Sequence, residues 1–302
     1  MRQDLYQTVT DRIIAELEQG IVPWVQPWQA TSGGPGISLP TNASTAKRYS
    51  GINILLLWDR QTRANFRADK WLTYKQAQGL GGNVKRGEHG TTIYFADKFI
   101  PQKERERAAG ADDKACAVYF LKAYTVFNVE QCENLPANLM PSPVELVTEN
   151  TMPGLVAAAD ALVKATGADF RIGGDRAFYA PSQDFIAIPS PAAYGETINW
   201  YRTAFHELGH WTGHEKRLNR LEHTAWGSPT YAREELVAEM SAAFTCAALG
   251  ITPTVRHADY IGSWLQTLKE DNKAIFRAAS AASKASDFVL AFGDAAPLEL
   301  AA

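Results

Sequence analysis

The strongest constraint on the fold of this 302-residue chain is the motif His206-Glu207-Leu208-Gly209-His210. The metal chemistry that this motif indicates requires its residues to form a helix. Its two histidines are four residues apart, so an α-helix places both imidazoles on one face, one turn apart. Two ring nitrogens at that spacing can bind one zinc ion or another divalent transition metal. Glu207 lies beside such an ion, where it can act as the catalytic base that takes a proton from an activated water. We predict a helix around residues 195–213 with His206 and His210 as metal ligands.

A third ligand must come from elsewhere, and residues 233–239 offer the best candidates. Glu235 and Glu239 are four residues apart and share one face of a predicted helix around residues 231–249. One glutamate can complete a site of two histidines and one carboxylate that leaves a fourth position for water, and the other can hydrogen-bond a ligand imidazole. We assign Glu235 as ligand and Glu239 as its support. The reverse assignment stays open, as does the alternative that both are exposed charges on an amphipathic helix.

Composition indicates a folded protein without a membrane span or a disulfide framework. The longest unbroken apolar run, residues 115–121, has seven residues, whereas a membrane-spanning helix needs about 20. The three cysteines are an odd number and form no close pair, and the first residues carry no apolar signal segment. The expected location is therefore the cytoplasm, with no membrane partner.

Charge is distributed unevenly along the chain. Residues 1–140 contain 17 basic and 14 acidic residues, while residues 141–302 contain 13 and 19. The basic excess is concentrated in residues 47–86, which also contain five aromatic residues. Cations neutralise phosphates and flat rings stack on unpaired bases, so this segment predicts binding of single-stranded nucleic acid. A solvated basic surface over an ordinary aromatic core is the alternative. The candidate contacts are Lys47, Arg48, Tyr49, Asn53, Trp71, Lys75, Lys85 and Arg86.

The length of the chain and the positions of its prolines predict two domains. Prolines break any regular element around residues 135–152, so we place a boundary there and predict domains 1–140 and 141–302. The first half shows mixed helical and strand patterns. The second half predicts a helix, three short strands, the two helices described above and a last helix over about 257–283. The predicted fold class is α+β.

Several motifs together resemble the ArdC-type antirestriction proteins, a plasmid-borne family related to the N-terminal part of TraC-type conjugative primases. The resemblance covers nearly the full length. It rests on PWVQPW (23–28), PTNA (40–43), YSGIN (49–53), WLTYKQA (71–77), GGNVKRGE (81–88), DFIAIP (184–189), HELGHWTG (206–213), RL (217–218) and ELVAE (235–239).

The resemblance implies an N-terminal domain that binds single-stranded DNA and a C-terminal zincin-like metallopeptidase domain. It also implies protection of incoming conjugative plasmid DNA from host restriction enzymes, which would then be partners. It carries metal-ligand roles onto His206 and His210 and the base role onto Glu207. Two functions remain open: a DNA-occluding protein with a structural metal domain, or an active zinc protease recruited to DNA that cleaves a host protein. A nuclease is disfavoured, because a single such ion suits peptide hydrolysis better than DNA cleavage.

Overall fold

The N-terminal half combines helices with a small mixed sheet. The computed structural model describes residues 4–25, 38–99, 118–140, 152–221, 229–252 and 260–294. The elements of the first half are helix α1 (Leu5–Glu18), strand β1 (Thr41–Asn42), helix α2 (Ile52–Ala64), strand β2 (Lys70–Thr73), helix α3 (Tyr74–Gly79) and strands β3 (Asn83–Val84), β4 (Thr91–Phe99), β5 (Val118–Asn128) and β6 (Cys132–Glu133).

Four of these strands form one sheet in the order β1-β2-β5-β4, while β3 and β6 form a separate antiparallel pair. Strand β1 is parallel to β2, and β5 is antiparallel to both β2 and β4. Trp71 pairs with Asn128 and Ile93 pairs with Tyr124, so Trp71, Ile93 and Val126 share one face of the sheet. That face packs on Leu57 of α2, which explains why α2 is apolar on several sides.

The second half is a three-stranded sheet followed by long helices. Its elements are helix α4 (Met152–Ala165), strands β7 (Asp169–Ile172), β8 (Phe178–Ala180) and β9 (Phe185–Ile188), and helices α5 (Thr197–Trp211), α6 (Pro229–Ala248), α7 (Ile261–Glu270) and α8 (Ala274–Asp294). The strand order is β7-β9-β8, with β7 parallel and β8 antiparallel to β9. The mixture of helices and strands in both halves confirms the predicted fold class.

The single helix predicted over about 257–283 is wrong, because the chain forms two helices there. Helix α7 ends at Glu270, and α8 begins at Ala274 and continues to Asp294. Between them, the Asp271 side chain accepts a hydrogen bond from the Lys273 amide at 3.0 Å, a local turn that competes with helical bonding. The Asn272 carbonyl accepts a hydrogen bond from Thr10 of α1 at 2.7 Å, so the break also contacts the N-terminal helix.

One hydrophobic core joins the two halves. Trp58 of α2 meets Phe244 of α6 edge to face, with ring centroids 5.6 Å apart, and Trp24 meets Trp264 of α7 at 5.3 Å. The same core contains Val9, Ile13 and Leu17 of α1, Leu236 and Met240 of α6, and Ile275 of α8. Helix α6 is therefore covered by residues of both predicted domains. The predicted domain boundary between residues 140 and 141 borders residues 141–151, which lie outside the part of the chain that the structure describes. The boundary therefore stays a prediction.

A second core fixes the orientation of α5. Phe205 and Leu208 of α5 pack against Ile186 and Ile188 of β9, and all four are almost completely buried. Because this apolar stripe faces the sheet, the motif histidines lie on a different face of α5. Within the described ranges, every helix is too short or too polar to cross a bilayer.

Replacement of Phe244 tests the joint core. Phe244 is fully buried, so Phe244→Ala should lower the free energy of unfolding by about 3–5 kcal/mol. Chemical denaturation followed by tryptophan fluorescence measures the change. The control is Phe178→Ala, whose ring is 48% exposed and which should cost less than about 1 kcal/mol. Equal costs for both variants would contradict the joint core.

Candidate metal centre

The motif helix and the helix with the acidic residues approach each other closely at one point. A Cβ atom built on Gly209 of α5 would lie 3.1 Å from the Cα of Ala238 on α6. A contact this short leaves little room for a side chain, so residues without bulk at 209 and 238 allow the two backbones to approach. The approach places His206 and His210 opposite the Glu235 turn of α6.

Three donor side chains converge between these helices. The His206 and His210 Nε2 atoms are 3.2 Å apart. Glu235 Oε2 lies 3.4 Å from His206 Nε2, and Glu235 Oε1 lies 3.5 Å from His210 Nε2. His206 and Glu235 are almost fully buried, and the His210 side chain is 12% exposed. His206, His210 and Glu235 therefore form one compact donor cluster that could hold a metal ion.

The spacing of this cluster fits a tetrahedral divalent ion. Metal–nitrogen and metal–oxygen bonds of about 2.0–2.2 Å at tetrahedral angles separate neighbouring ligand atoms by about 3.3–3.5 Å. The distances of 3.2, 3.4 and 3.5 Å between the donor atoms agree with that separation. Two imidazoles and one carboxylate leave one tetrahedral position for water or a substrate.

Carboxylates behind the two rings orient the nitrogen lone pairs toward the cluster. Glu234 Oε1 accepts a hydrogen bond from His210 Nδ1 at 3.2 Å. Glu239 Oε1 lies 3.7 Å from His206 Nδ1, which is longer than a direct hydrogen bond but close enough to favour a proton on that nitrogen. With both protons on Nδ1, both Nε2 lone pairs face each other and the Glu235 carboxylate. That concentration of electron pairs favours a cation between them.

Sequence reasoning missed Glu234 and Arg220. Arg220 donates to Glu234 at 2.8 Å and 3.0 Å, and its guanidinium also donates to the Gly209 carbonyl. Glu234 thus connects the His210 imidazole to an arginine from the segment after α5. The sequence shows two adjacent glutamates, 234 and 235, but only the helix crossing reveals that each reaches a different atom of His210.

The charges of the cluster perturb its titration. Burial alone would lower the pKa of His210, but the hydrogen bonds to Glu234 and Glu235 outweigh burial and raise it to about 10. Burial would raise the pKa of Glu235, and the two imidazoles reverse this and lower it. The two carboxylates therefore favour positive charge at His210, on the side of the ring where a cation would bind.

Glu207 and Tyr231 are two further side chains of the helices that carry the three donors. Glu207 follows His206 on α5 and is 3% exposed, so it is a carboxylate held in the interior of the protein. Burial and the hydrogen bond to Glu235 raise the pKa of Tyr231, so its protonated hydroxyl donates to the carboxylate. Tyr231 therefore fixes the orientation of the third donor.

The residues predicted to contact nucleic acid differ in their exposure to solvent. Trp71 is fully buried, so its ring packs in the sheet core and offers no face to a base; the prediction for Trp71 fails on this ground. Asn53 exchanges two hydrogen bonds with the Tyr94 backbone, at 2.7 and 2.8 Å, and so fastens α2 to β4. Tyr49 is half-buried and hydrogen-bonds Asn42. The solvent-exposed residues are Lys47, Arg48, Lys75, Lys85 and Arg86.

Comparison with known proteins connects both halves to families. A model of the N-terminal domain of the anti-restriction factor ArdC matches residues 3–127, and a model of zincin-like metallopeptidases matches residues 157–281. A metal-free crystal structure of the antirestriction protein ArdC from plasmid R388 is 37% identical, with a TM-score of 0.78 over 97% of this chain and 98% of that chain. The chain belongs to the ArdC antirestriction family.

An Mn(II)-bound structure of the R388 ArdC protein is also similar, at 36% identity and a TM-score of 0.77, over 98% of this chain and 100% of that chain. Two TraC DNA primases of Escherichia coli are 40% and 37% identical over 97% and 96% of this chain, which spans 27% and 20% of their length. An uncharacterised protein of Sinorhizobium fredii is 34% identical over 95% of this chain and 91% of its own length. The donor cluster and the ArdC relative with bound Mn(II) support a divalent metal in this ArdC-family protein.

Two substitutions test the assignment of Glu235 as ligand and Glu239 as its support. Glu235→Gln removes a ligand oxygen of the cluster, so metal bound per chain should fall from about one to near zero after dialysis. Glu239→Gln changes only a group behind His206, so affinity should fall about 10–100-fold while metal remains at saturation. Elemental analysis and competition with a chelator measure both. The opposite order, with Glu239→Gln emptying the site and Glu235→Gln retaining the ion, would contradict the assignment.

Proposed function

We propose that this ArdC-family protein binds single-stranded DNA and protects incoming conjugative plasmid DNA from host restriction enzymes in the cytoplasm. The observation that carries the proposal is the agreement in fold, along nearly the whole chain, with an antirestriction protein of plasmid R388. A shared fold over 97% of this chain at 37% identity extends to both halves, including the segment with the metal cluster. The proposed partners are the entering strand and, through it, the restriction enzymes.

Five exposed cations support the DNA-binding part of the proposal. Lys47, Arg48, Lys75, Lys85 and Arg86 are solvent-exposed, so each can neutralise a phosphate without desolvation of a buried charge. Lys85 also donates to the Glu130 carbonyl at 2.9 Å, which holds its side chain near the surface of the β3–β6 pair. A strand bound by these residues would be occupied by protein and so withheld from competing enzymes.

We further propose that the donor cluster holds zinc, with His206, His210 and Glu235 as ligands. A bound zinc ion would act as a Lewis acid and lower the pKa of a water molecule. Glu207 supplies the proton acceptor, because it is a buried carboxylate adjacent to His206 on the same helix. Tyr231 holds the Glu235 carboxylate, Glu234 holds the His210 imidazole, and Glu239 lies 3.7 Å behind the His206 imidazole.

The intact Glu207 favours a second function, a zinc-dependent protease recruited to DNA that cleaves a host protein. A purely structural ion needs ligands but no base, whereas peptide hydrolysis requires a group that accepts a proton. A nearly buried carboxylate costs free energy unless it has a role or a partner. Glu207 is therefore the residue that separates protection by occupancy from protection by proteolysis.

Plasmid transfer into restricting and non-restricting recipients tests both functions. The donors carry no protein, the wild type, Glu207→Gln, or the exposed control Glu215→Gln. If occupancy is sufficient, Glu207→Gln should restore transfer into the restricting recipient as well as the wild type does, because DNA binding and metal ligands are unchanged. Proteolysis predicts that Glu207→Gln alone loses protection, since removal of a general base typically costs about 10²–10⁴-fold in rate.

The same experiment can contradict the antirestriction proposal as a whole. If the wild type does not increase transfer into the restricting recipient over the protein-free donor, the protein does not protect plasmid DNA. Transfer into the non-restricting recipient should be equal for all donors, because restriction is absent there.

A further inference from the structure

A polar cleft lies on the N-terminal half, between helices α1 and α2 and the start of strand β4. Its volume is about 490 Å³, which is within the range of sites that hold a small ligand. Three arginines, Arg12, Arg60 and Arg63, line it, together with His89 and the first residues of β4. None of the metal-cluster residues contributes to its walls.

Two of the three arginines are neutralised by buried carboxylates. Arg63 donates to Glu16 at 2.7 Å and to Asp59 at 2.6 Å. Arg12 pairs with the same two carboxylates, at 3.4 Å for Glu16. Glu16 and Asp59 are nearly fully buried, so this four-residue network is fixed in place and carries no net charge.

Arg60 supplies the uncompensated charge of the cleft. In the part of the chain that the structure describes, no carboxylate lies within ion-pairing distance of the Arg60 guanidinium. Its contact is with the ring of Phe66, whose centroid is 5.6 Å from Cζ. The cleft therefore has a net positive charge, and a planar guanidinium matches the geometry of phosphate oxygens.

Residues 89–92 also line the cleft. The Gln131 side chain donates to Glu88 at 2.7 Å and to the His89 carbonyl at 3.0 Å, which fixes the segment between β3 and β4. Thr91 lines the cleft, and its buried hydroxyl has no hydrogen-bond partner among the described residues. Exposed Lys85 and Arg86 precede this loop, so positive charge continues outward from the cleft.

We propose that the cleft binds a backbone phosphate of single-stranded DNA, with Arg60 as the cation. This inference rests on the proposed binding of single-stranded DNA and identifies where the strand is held. Val9, Leu56 and Tyr94 also line the cleft.

Fluorescence anisotropy with a labelled 20-nucleotide oligothymidine, over a range of salt concentrations, tests the proposal. Loss of one phosphate contact should lower the slope of log affinity against log salt by about 0.7, which corresponds to about fivefold weaker binding at 0.1 M salt. We expect this result for Arg60→Ala. The control, Arg67→Ala, removes an exposed charge in the same segment outside the cleft and should change affinity less than twofold.

A second variant tests the cleft without removing the Arg60 side chain, which packs on Phe66. Thr92 lines the cleft on an exposed strand position, so Thr92→Glu adds a negative charge there without removing a core side chain. It should weaken oligonucleotide binding at least as much as Arg60→Ala. Circular dichroism melting should show that all three variants retain the wild-type fold.

The outcomes separate this proposal from the proposed function. If the wild type binds no oligonucleotide, both fail. If the wild type binds and Arg60→Ala and Thr92→Glu bind equally well, or Arg67→Ala weakens binding as much, only the cleft is overturned. Binding of thymidine monophosphate distinguishes the source of the phosphate. If the protein bound thymidine monophosphate as tightly as the oligonucleotide and Arg60→Ala abolished that binding, the cleft would be a site for free nucleotides. That result would contradict the proposal that the cleft holds a DNA strand.

Discussion

The close crossing of α5 and α6 at Gly209 and Ala238 determines what this protein can do. Only at that distance can Glu235 reach both imidazoles of the motif helix, with donor separations of 3.2–3.5 Å. The crossing itself depends on the two cores. One core holds α5 on the three-stranded sheet, and the other holds α6 among α1, α2, α7 and α8. The geometry of the metal cluster is therefore a property of the whole fold.

Local patterns are sufficient to bring together donor side chains that share one helix, and they are weaker for donors whose position depends on packing. The spacing of His206 and His210 is sufficient to place both rings on one face, and the structure brings them together with Glu235, the glutamate that the pattern ranked over Glu239. Glu234 and Trp71 are two residues whose surroundings local patterns do not predict. Whether Glu234 reaches His210, or whether Trp71 faces solvent, depends on neighbours distant in sequence. The break at Asp271 was missed because a side chain that caps its own backbone does not interrupt the apolar pattern.

The joint core places the metal cluster and the cleft on one common scaffold. Trp58 and Phe244 make one contact across the halves, and the Gly51 amide donates to Ser283 of α8 at 2.7 Å, which makes another. The same helix α2 presents Arg60 and Asp59 to the proposed phosphate cleft and Trp58 to helix α6. Glu16 and Asp59 neutralise Arg12 and Arg63 beside the cleft, so of the three arginines that line it only Arg60 is left for a phosphate.

Anomalous diffraction at the zinc absorption edge, from crystals of protein loaded with zinc, measures the position and identity of the bound ion together. The geometry predicts one strong peak about 2.0–2.2 Å from Nε2 of His206, Nε2 of His210 and an oxygen of Glu235. A peak at another location, or no peak between these three side chains at full loading, would show that the two helices do not form a metal site.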